Sequence, residues 1–259
     1  MLVKEIMTEP VTIDKSEKIG HALDIMEKHD LRRLLVTNKD KLGGIITTRQ
    51  IARVLGTRKR LGMPASSLHV AAATLEAIIK VLPDMSIEDA ITLLPKTSVL
   101  VVMEGDEIKG WVRPREILHV TKFNGKASDA MRPPLTVSPD DRLVHARRMM
   151  LDRDVGRLPV VDCARLVGII TERDVAKALR AFRDLNETSS KQYARIYNLL
   201  VSDVMTRNVK YVRMDTPLDD VKNIILTENR GGLPVLNDKD ELAGMITRRS
   251  LIDYLARTR

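Results

Sequence analysis

The informative pattern lies between Leu135 and Asp174, where the spacing of apolar residues changes three times. Leu135–Val137 reads as a short strand, and Ser138-Pro139-Asp140 behind it is a helix-start signal. Leu143, Ala146, Met150 and Leu151 then recur at the spacing of one buried helix face. Gly156-Arg157 turns the chain into an apolar run, Leu158–Val161, and a tight turn leads to a second run, Leu166–Ile170. Thr171-Glu172-Arg173-Asp174 opens a final helix. The order β-α-β-β-α predicts an α/β unit with helices on the face of its sheet.

This unit recurs. KEIMTEPVTI (4–13), SDAMRPPLTV (128–137) and SDVMTRNVKYV (202–212) share a methionine followed by a strand-like stretch. GGIITTRQI (43–51), VGIITERDV (167–175) and AGMITRRSL (243–251) share a glycine-containing strand ending in threonine. The spacing is 37 for Met7 to Gly44, 37 for Met131 to Gly168 and 39 for Met205 to Gly244. Residues 76–94 and 98–118 repeat the same element order without the methionine, and Trp111-Val112-Arg113 replaces the Ile-Ile-Thr pattern. Four tandem copies are therefore expected at 1–56, 70–122 (degenerate), 125–182 and 199–258. A unit of about 55 residues is marginal alone, so copies should pair to bury their open faces. Thr57–His69 is a basic connector between copies one and two. Arg180–Leu200 reads as helical flanks around a polar loop, Asn186-Glu187-Thr188-Ser189-Ser190.

Composition narrows the class. No apolar run approaches the roughly 20 residues of a membrane span, the N-terminus lacks a signal-peptide core, and Cys163 is the single cysteine. A cytoplasmic protein without disulfides or a cysteine-rich metal site is expected. The 43 Lys+Arg against 35 Asp+Glu give +8, which suits phosphate-bearing partners. That charge is spread over short clusters, Arg32-Arg33, Arg58-Lys59-Arg60, Arg147-Arg148 and Arg248-Arg249, and an aromatic content of 3% leaves few residues to stack on bases.

The strand-to-helix turn of copy three holds the candidate chemistry. An N-cap at Thr171 with Asp174 at the third helical position accounts for both residues without a ligand. Two features add a binding reading. A hydroxyl and a carboxylate at the carboxyl end of a strand lie where open α/β sheets bind ligands. Asp accepts both hydroxyls of a ribose, while a helix N-terminus beside Arg173 holds a phosphate.

The pattern Val167–Asp174, the Gly156-Arg157-Leu158-Pro159-Val160 turn and the methionine-anchored starts resemble CBS domains over nearly the whole chain. The layout is similar to that of four-repeat archaeal relatives of the AMP-activated protein kinase gamma subunit. The resemblance implies consecutive repeats paired into two Bateman modules in a flat disc, as a monomer or a homodimer. It implies clefts that take AMP, ADP, ATP or S-adenosylmethionine as regulatory ligand, with no catalytic cofactor and no metal. Thr171 and Asp174 would hold the ribose, with Ile169 and Arg173 beside the ligand. Val209, Lys210 and the Arg230-Gly231 turn would flank the adenine or phosphate. Copy four offers a second site at Thr247, Arg249 and Ser250, facing Leu135, Val155 and Gly156, with Ser250 able to donate to a ribose hydroxyl. Copy one keeps Thr47 but has Gln50, and copy two has Arg113 and Glu116. The first module is vacant, structural, or tuned to another anion through Arg33, Arg49 and Arg113.

The five histidines share no metal-ligand spacing, no P-loop or Rossmann fingerprint occurs, and Cys163 is expected to pack inertly. The expectation is a non-enzymatic energy or metabolite sensor acting on an unidentified partner protein. The alternative is a basic nucleic-acid-binding protein modulated by nucleotide.

Overall fold

The computed structural model describes residues 1–57, 63–184 and 189–258, so the Arg58-Lys59-Arg60 cluster and residues 186–188 of the polar loop lie outside the described residues. Copy one runs β1 (Thr12–Asp14), α1 (Ile19–Lys28), β2 (Arg33–Asn38), β3 (Lys41–Thr47) and α2 (Thr48–Leu55). Copy two follows with β4 (Thr74–Leu75), β5 (Ile79–Val81), α3 (Ile87–Leu93), β6 (Leu100–Glu104), β7 (Glu107–Val112) and α4 (Pro114–Val120). Copy three has α5 (Ala127–Ala130), α6 (Leu143–Asp152), β8 (Arg157–Asp162), β9 (Arg165–Thr171) and α7 (Glu172–Asp184), then α8 (Ser189–Asn198). Copy four has β10 (Val212–Arg213), α9 (Leu218–Thr227), β11 (Gly232–Leu236), β12 (Leu242–Thr247) and α10 (Arg248–Thr258).

The repeat is visible in the register. In each copy a hairpin pairs antiparallel, with a bulge at the same place: Val36/Thr37, Val102/Met103, Val160/Val161 and Val235/Leu236. The first strand pairs parallel in copies one, two and four. In copy three the expected strand Leu135–Val137 shrinks to one parallel bridge, Val137 to Val160. The predicted helix start also moves. Ser138 donates its backbone N–H to Asp141 at 2.7 Å and forms a turn, and α6 begins at Leu143 with Arg142 as N-cap. Cys163 does not pack. It is exposed, with φ of 46°, and with Ala164 at 63° it makes the two-residue β8–β9 turn, the mirror-image geometry hairpins favour.

Two compact units emerge, and each joins alternate copies. The odd unit comprises Val11–Ala77 and Leu135–Asn208, hence the bodies of copies one and three. Its core stacks Ile19, Leu34, Ile46, Ile51 and Leu55 with Leu143, Leu158, Ile170, Val175 and Leu179. The even unit comprises Met1–Pro10, Ile78–Pro134 and Val209–Arg259. Ile87, Leu100, Val112 and Ile117 pack there with Leu218, Ile225, Leu233, Ile246 and Leu251.

Consecutive copies are tied by a reciprocal exchange of lead-in segments. The lead-in of copy one pairs with copy two, Thr8 bridging Trp111, and β4 ahead of copy two adds to β3 of copy one. Likewise Arg132 bridges Met245, and Thr206 bridges Ile169. The methionine anchors explain themselves here. A Cβ on Gly110, Gly168 or Gly244 would lie 2.9, 2.6 or 2.7 Å from the sulfur of Met7, Met205 or Met131. Each methionine therefore lies against the glycine of the other copy, and only glycine admits that approach.

The charge also sorts. The odd unit carries 25 Lys+Arg against 17 Asp+Glu, and the even unit 18 against 18. The whole excess of +8 belongs to one unit, although along the sequence it looks dispersed.

Candidate functional site

All four copies end a strand and start a helix at the same turn, and four different caps close it. In copy three, Asp174 Oδ2 accepts from the Thr171 N–H at 2.8 Å and from the Thr171 hydroxyl at 2.7 Å. The Asp174 N–H in turn faces Thr171 Oγ1 at 3.4 Å. This reciprocal box fixes the carboxylate at the start of α7 and leaves Oδ1 outside it. Both residues are half-buried.

The other caps are built differently. Gln50 donates its N–H to Thr47 Oγ1 at 3.2 Å, but no carboxylate stands there. In copy four, Ser250 is 2% exposed; its oxygen accepts from the Thr247 N–H at 2.8 Å and its hydroxyl donates to the Thr247 carbonyl at 3.1 Å. Its one proton is committed, so the expectation that Ser250 donates to a ribose is corrected. In copy two, Glu116 accepts from the Arg113 backbone at 2.8 Å and from its guanidinium at 2.6 Å, and Arg113 stacks on Trp111 at 4.5 Å. That arginine is neutralised, and Arg49 is ion-paired to Asp154 and Glu172. The expectation of another anion held through Arg33, Arg49 and Arg113 therefore has two of its three cations already paired within the protein.

Arg173, expected beside a ligand, turns toward copy one instead. It ion-pairs with Asp30 and donates to the Leu31 carbonyl at 2.9 Å. Arg49 mirrors it by reaching Asp154 in copy three. The even unit repeats the device: Arg115 donates to Asn229 at 3.1 Å and Arg249 to the Pro95 carbonyl at 3.4 Å. So the arginine just before the last cap position crosses to the alternate copy in all four repeats. Arg32 takes the place that Gly156 has in copy three. Burial holds its pKa below the usual arginine range, and the neighbouring Arg173 adds to the effect.

The remaining candidates divide between the units. Leu135 and Val155 pack against the odd core, half-buried, and Gly156 accepts the Glu172 N–H at 3.2 Å. Ile169 is 9% exposed and exchanges backbone hydrogen bonds of 2.9 Å with Thr206. Val209, Lys210, Arg230 and Gly231 lie in the even unit with Thr247, Arg249 and Ser250. Lys210 and Arg230 are brought together by a residue the sequence reading passed over. Glu228 ion-pairs with Lys210 and accepts from Arg230 Nε at 2.6 Å. The Lys210 hydrogen bond, then that of Arg230, hold the Glu228 carboxyl below its ordinary pKa.

An α/β unit repeated four times with a strand-to-helix cap in every copy is the layout of one domain family. The CBS domain model matches residues 3–57, 71–122, 127–181 and 201–257, and the chain belongs to the CBS-domain family. It is 26% identical over 266 residues to protein MJ1225 of Methanocaldococcus jannaschii, covering 95% of both chains. The crystal structure of that protein, described as a candidate archaeal homolog of g-AMPK, superposes with a TM-score of 0.86 over 99% of this chain and 100% of the other. An uncharacterized conserved protein of Pyrococcus horikoshii shares the fold, with a TM-score of 0.64 at 23% identity over 98% of this chain and all of that one. An inosine-5'-monophosphate dehydrogenase of Korarchaeum cryptofilum is 31% identical over 121 residues, 47% of this chain and 22% of that enzyme. Among the described residues no helix is long and apolar enough to cross a membrane.

Proposed function

We propose that the chain is a cytoplasmic, non-catalytic regulator that binds an adenine nucleotide (AMP, ADP or ATP) or S-adenosylmethionine at the cap of copy three. The observation that carries this reading is the Thr171–Asp174 box. It is the one cap of the four that pairs a threonine with a half-exposed carboxylate. Asp174 Oδ2 is oriented by Thr171, so Oδ1 is preset to accept a ribose hydroxyl, and little rotamer freedom is lost on binding. The N–H groups at the start of the 13-residue helix α7 suit a phosphate or a carboxylate. The kinship with MJ1225, described as a candidate archaeal homolog of g-AMPK, agrees with the family resemblance from which this ligand class was expected.

Regulation follows from the wiring of that turn. Glu172 receives Arg49 and Arg173 grips Asp30, so the first turn of α7 is joined to copy one from both sides of the cap. A ligand that draws Asp174 toward itself then shifts the register between copies one and three, provided it binds the two arrangements unequally. A partner protein reads that shift.

Calorimetry with AMP, ATP and S-adenosylmethionine tests the proposal. At least one ligand should bind the native chain, and Asp174→Ala should weaken it by about tenfold or more, the scale of a lost charge-assisted hydrogen bond. No binding, or binding indifferent to Asp174→Ala in a folded variant, sinks it.

A further inference from the structure

Copies one and three are joined by a ladder of charges that the even unit does not repeat. Asp24 and Glu27 on α1, and Asp30 just beyond it, face Arg180, Lys177 and Arg173 on α7. Arg180 turns both terminal nitrogens toward the two oxygens of Asp24, the second at 3.3 Å, and Lys177 reaches Glu27 at 2.5 Å. The acids recur every three residues and the cations every three or four, so each row runs along one side of its helix. Arg173 stands in the first turn of α7, next to Asp174 of the cap.

Equivalent positions show that the ladder is not a property of the repeat. Its acids fall at the sixth, ninth and twelfth places counted from the start of α1. Those places hold Thr92, Pro95 and Ser98 in copy two, and Asn223, Leu226 and Asn229 in copy four. None of them is an acid. There Arg115 donates to the Asn229 side chain and Arg249 to the Pro95 carbonyl, both neutral acceptors.

Each row of the ladder repels itself and is neutralised only by the row it faces. Lys177 holds the Glu27 carboxyl below its ordinary pKa, while Asp24 on the same helix works against that pull. A crevice runs between α1 and α7, walled by Arg173, Lys177 and Arg180 over the buried Leu23 and Met26. Charge spans this gap above the apolar floor. The six side chains are between 27% and 61% exposed, so dissolved ions reach them. The screening length falls from about 10 Å at 0.1 M salt to about 3 Å at 1 M, close to contact distance.

We propose that the α1–α7 ladder is an ionic-strength latch: it closes copy three onto copy one in dilute salt and loosens as salt rises, while the even unit responds far less. The latch lies wholly in the odd unit. It does not rest on the nucleotide reading of the Thr171–Asp174 cap, although through Arg173 it sets how firmly that cap is tied to copy one.

Hydrogen exchange of the full chain, read by mass spectrometry in 0.1 M and 1 M sodium chloride, tests the latch. Amides of α1 and α7 should exchange about three- to tenfold faster at the higher salt, and those of α3 and α10 should change less than about twofold. Asp24→Lys/Glu27→Lys turns the α1 row from three negative charges into a net +1 facing three cations. It should exchange faster than the native chain in dilute salt, and added salt should now slow it, because screening relieves repulsion. Adding Lys177→Glu and Arg180→Glu restores opposite charges across the gap and should restore both the native protection and the native direction of the salt response. Trp111, the single tryptophan, lies in the even unit, and its fluorescence checks that each variant is folded. The proposal is overturned if α1 and α7 respond to salt no more than α3 and α10 do, or if the charge-reversed variant keeps the native direction of response. It is equally overturned if the four-residue swap fails to restore protection.

Discussion

Arg183 offers the sharpest test of how the odd unit is held together. Its side chain is 1% exposed, yet it comes from α7 in copy three and ends at the carboxyl end of α2 in copy one. Nε donates to the Leu55 carbonyl at 2.6 Å and a terminal nitrogen to the Met63 carbonyl at 2.9 Å, while the Thr57 carbonyl stands at 3.5 Å. Carbonyls at a helix end lack intrahelical partners, and the dipole favours a cation there. Two charge-assisted bonds at about 1.5 kcal/mol each give about 3 kcal/mol. Three buried methylenes at about 0.8 kcal/mol add about 2. Water entering the space in Arg183→Ala recovers part of this, so we expect a loss of about 3–4 kcal/mol. Against a total of about 5–15 kcal/mol that is a large fraction, and it corresponds to about 10 °C in Tm for a chain of this size. Urea unfolding of Arg183→Ala, with Arg148→Ala as control, is the assay; the Arg148 side chain is 82% exposed and should cost under about 0.5 kcal/mol. A loss below about 1 kcal/mol for Arg183→Ala, or equal losses for the two variants, would refute the reasoning.

The other expectations concern the exchange, the buried lysine and acid. Gly168→Ala puts a Cβ 2.6 Å from Met205 Sδ and 3.1 Å from the Thr206 carbonyl, and should cost about 1–3 kcal/mol; thermal unfolding should show Met205→Ala partly rescuing it, and no rescue would mean the clash is with backbone alone. Asp219→Asn leaves Lys222, 7% exposed and bonded to Asp219 at 2.7 Å, without its counter-charge. Discounted because Asp219 itself is 42% exposed, the cost is about 1–2 kcal/mol, read from denaturant midpoints. Asp14, Glu27, Asp219 and Glu228 all sit below their ordinary pKa, held respectively by Ser16, Lys177, Lys222 and Lys210. Their contribution is complete above the ordinary carboxylate range and is lost as pH falls through the lowered values. Urea midpoints should therefore be flat from pH 7 to about 5 and drop below about 4; a rise on acidification would contradict this.

Periodicity and spacing alone determined the repeat and its element order, because both are local. Leu143, Ala146 and Met150 face the core as their helical spacing requires, and the apolar runs around Leu158 and Ile170 are buried strands. The cap at Thr171 and Asp174 was equally legible, since a capping box joins residues three apart. Partnership was not. Met205 stands 39 residues before Gly244 in the repeat pattern but rests on Gly168, because two lead-in segments exchange places and sequence spacing records only which residues recur, not which copy receives them. Arg173 looked like a ligand residue and became a tie to Asp30 for the same reason. Burial then closed Ser250. The +8 charge follows suit: a list of arginines shows it scattered, and only the packing of alternate copies collects it on one unit. Which residues form a repeat is written in short-range pattern; which repeat each one serves depends on contacts between copies, and those the tertiary structure decides.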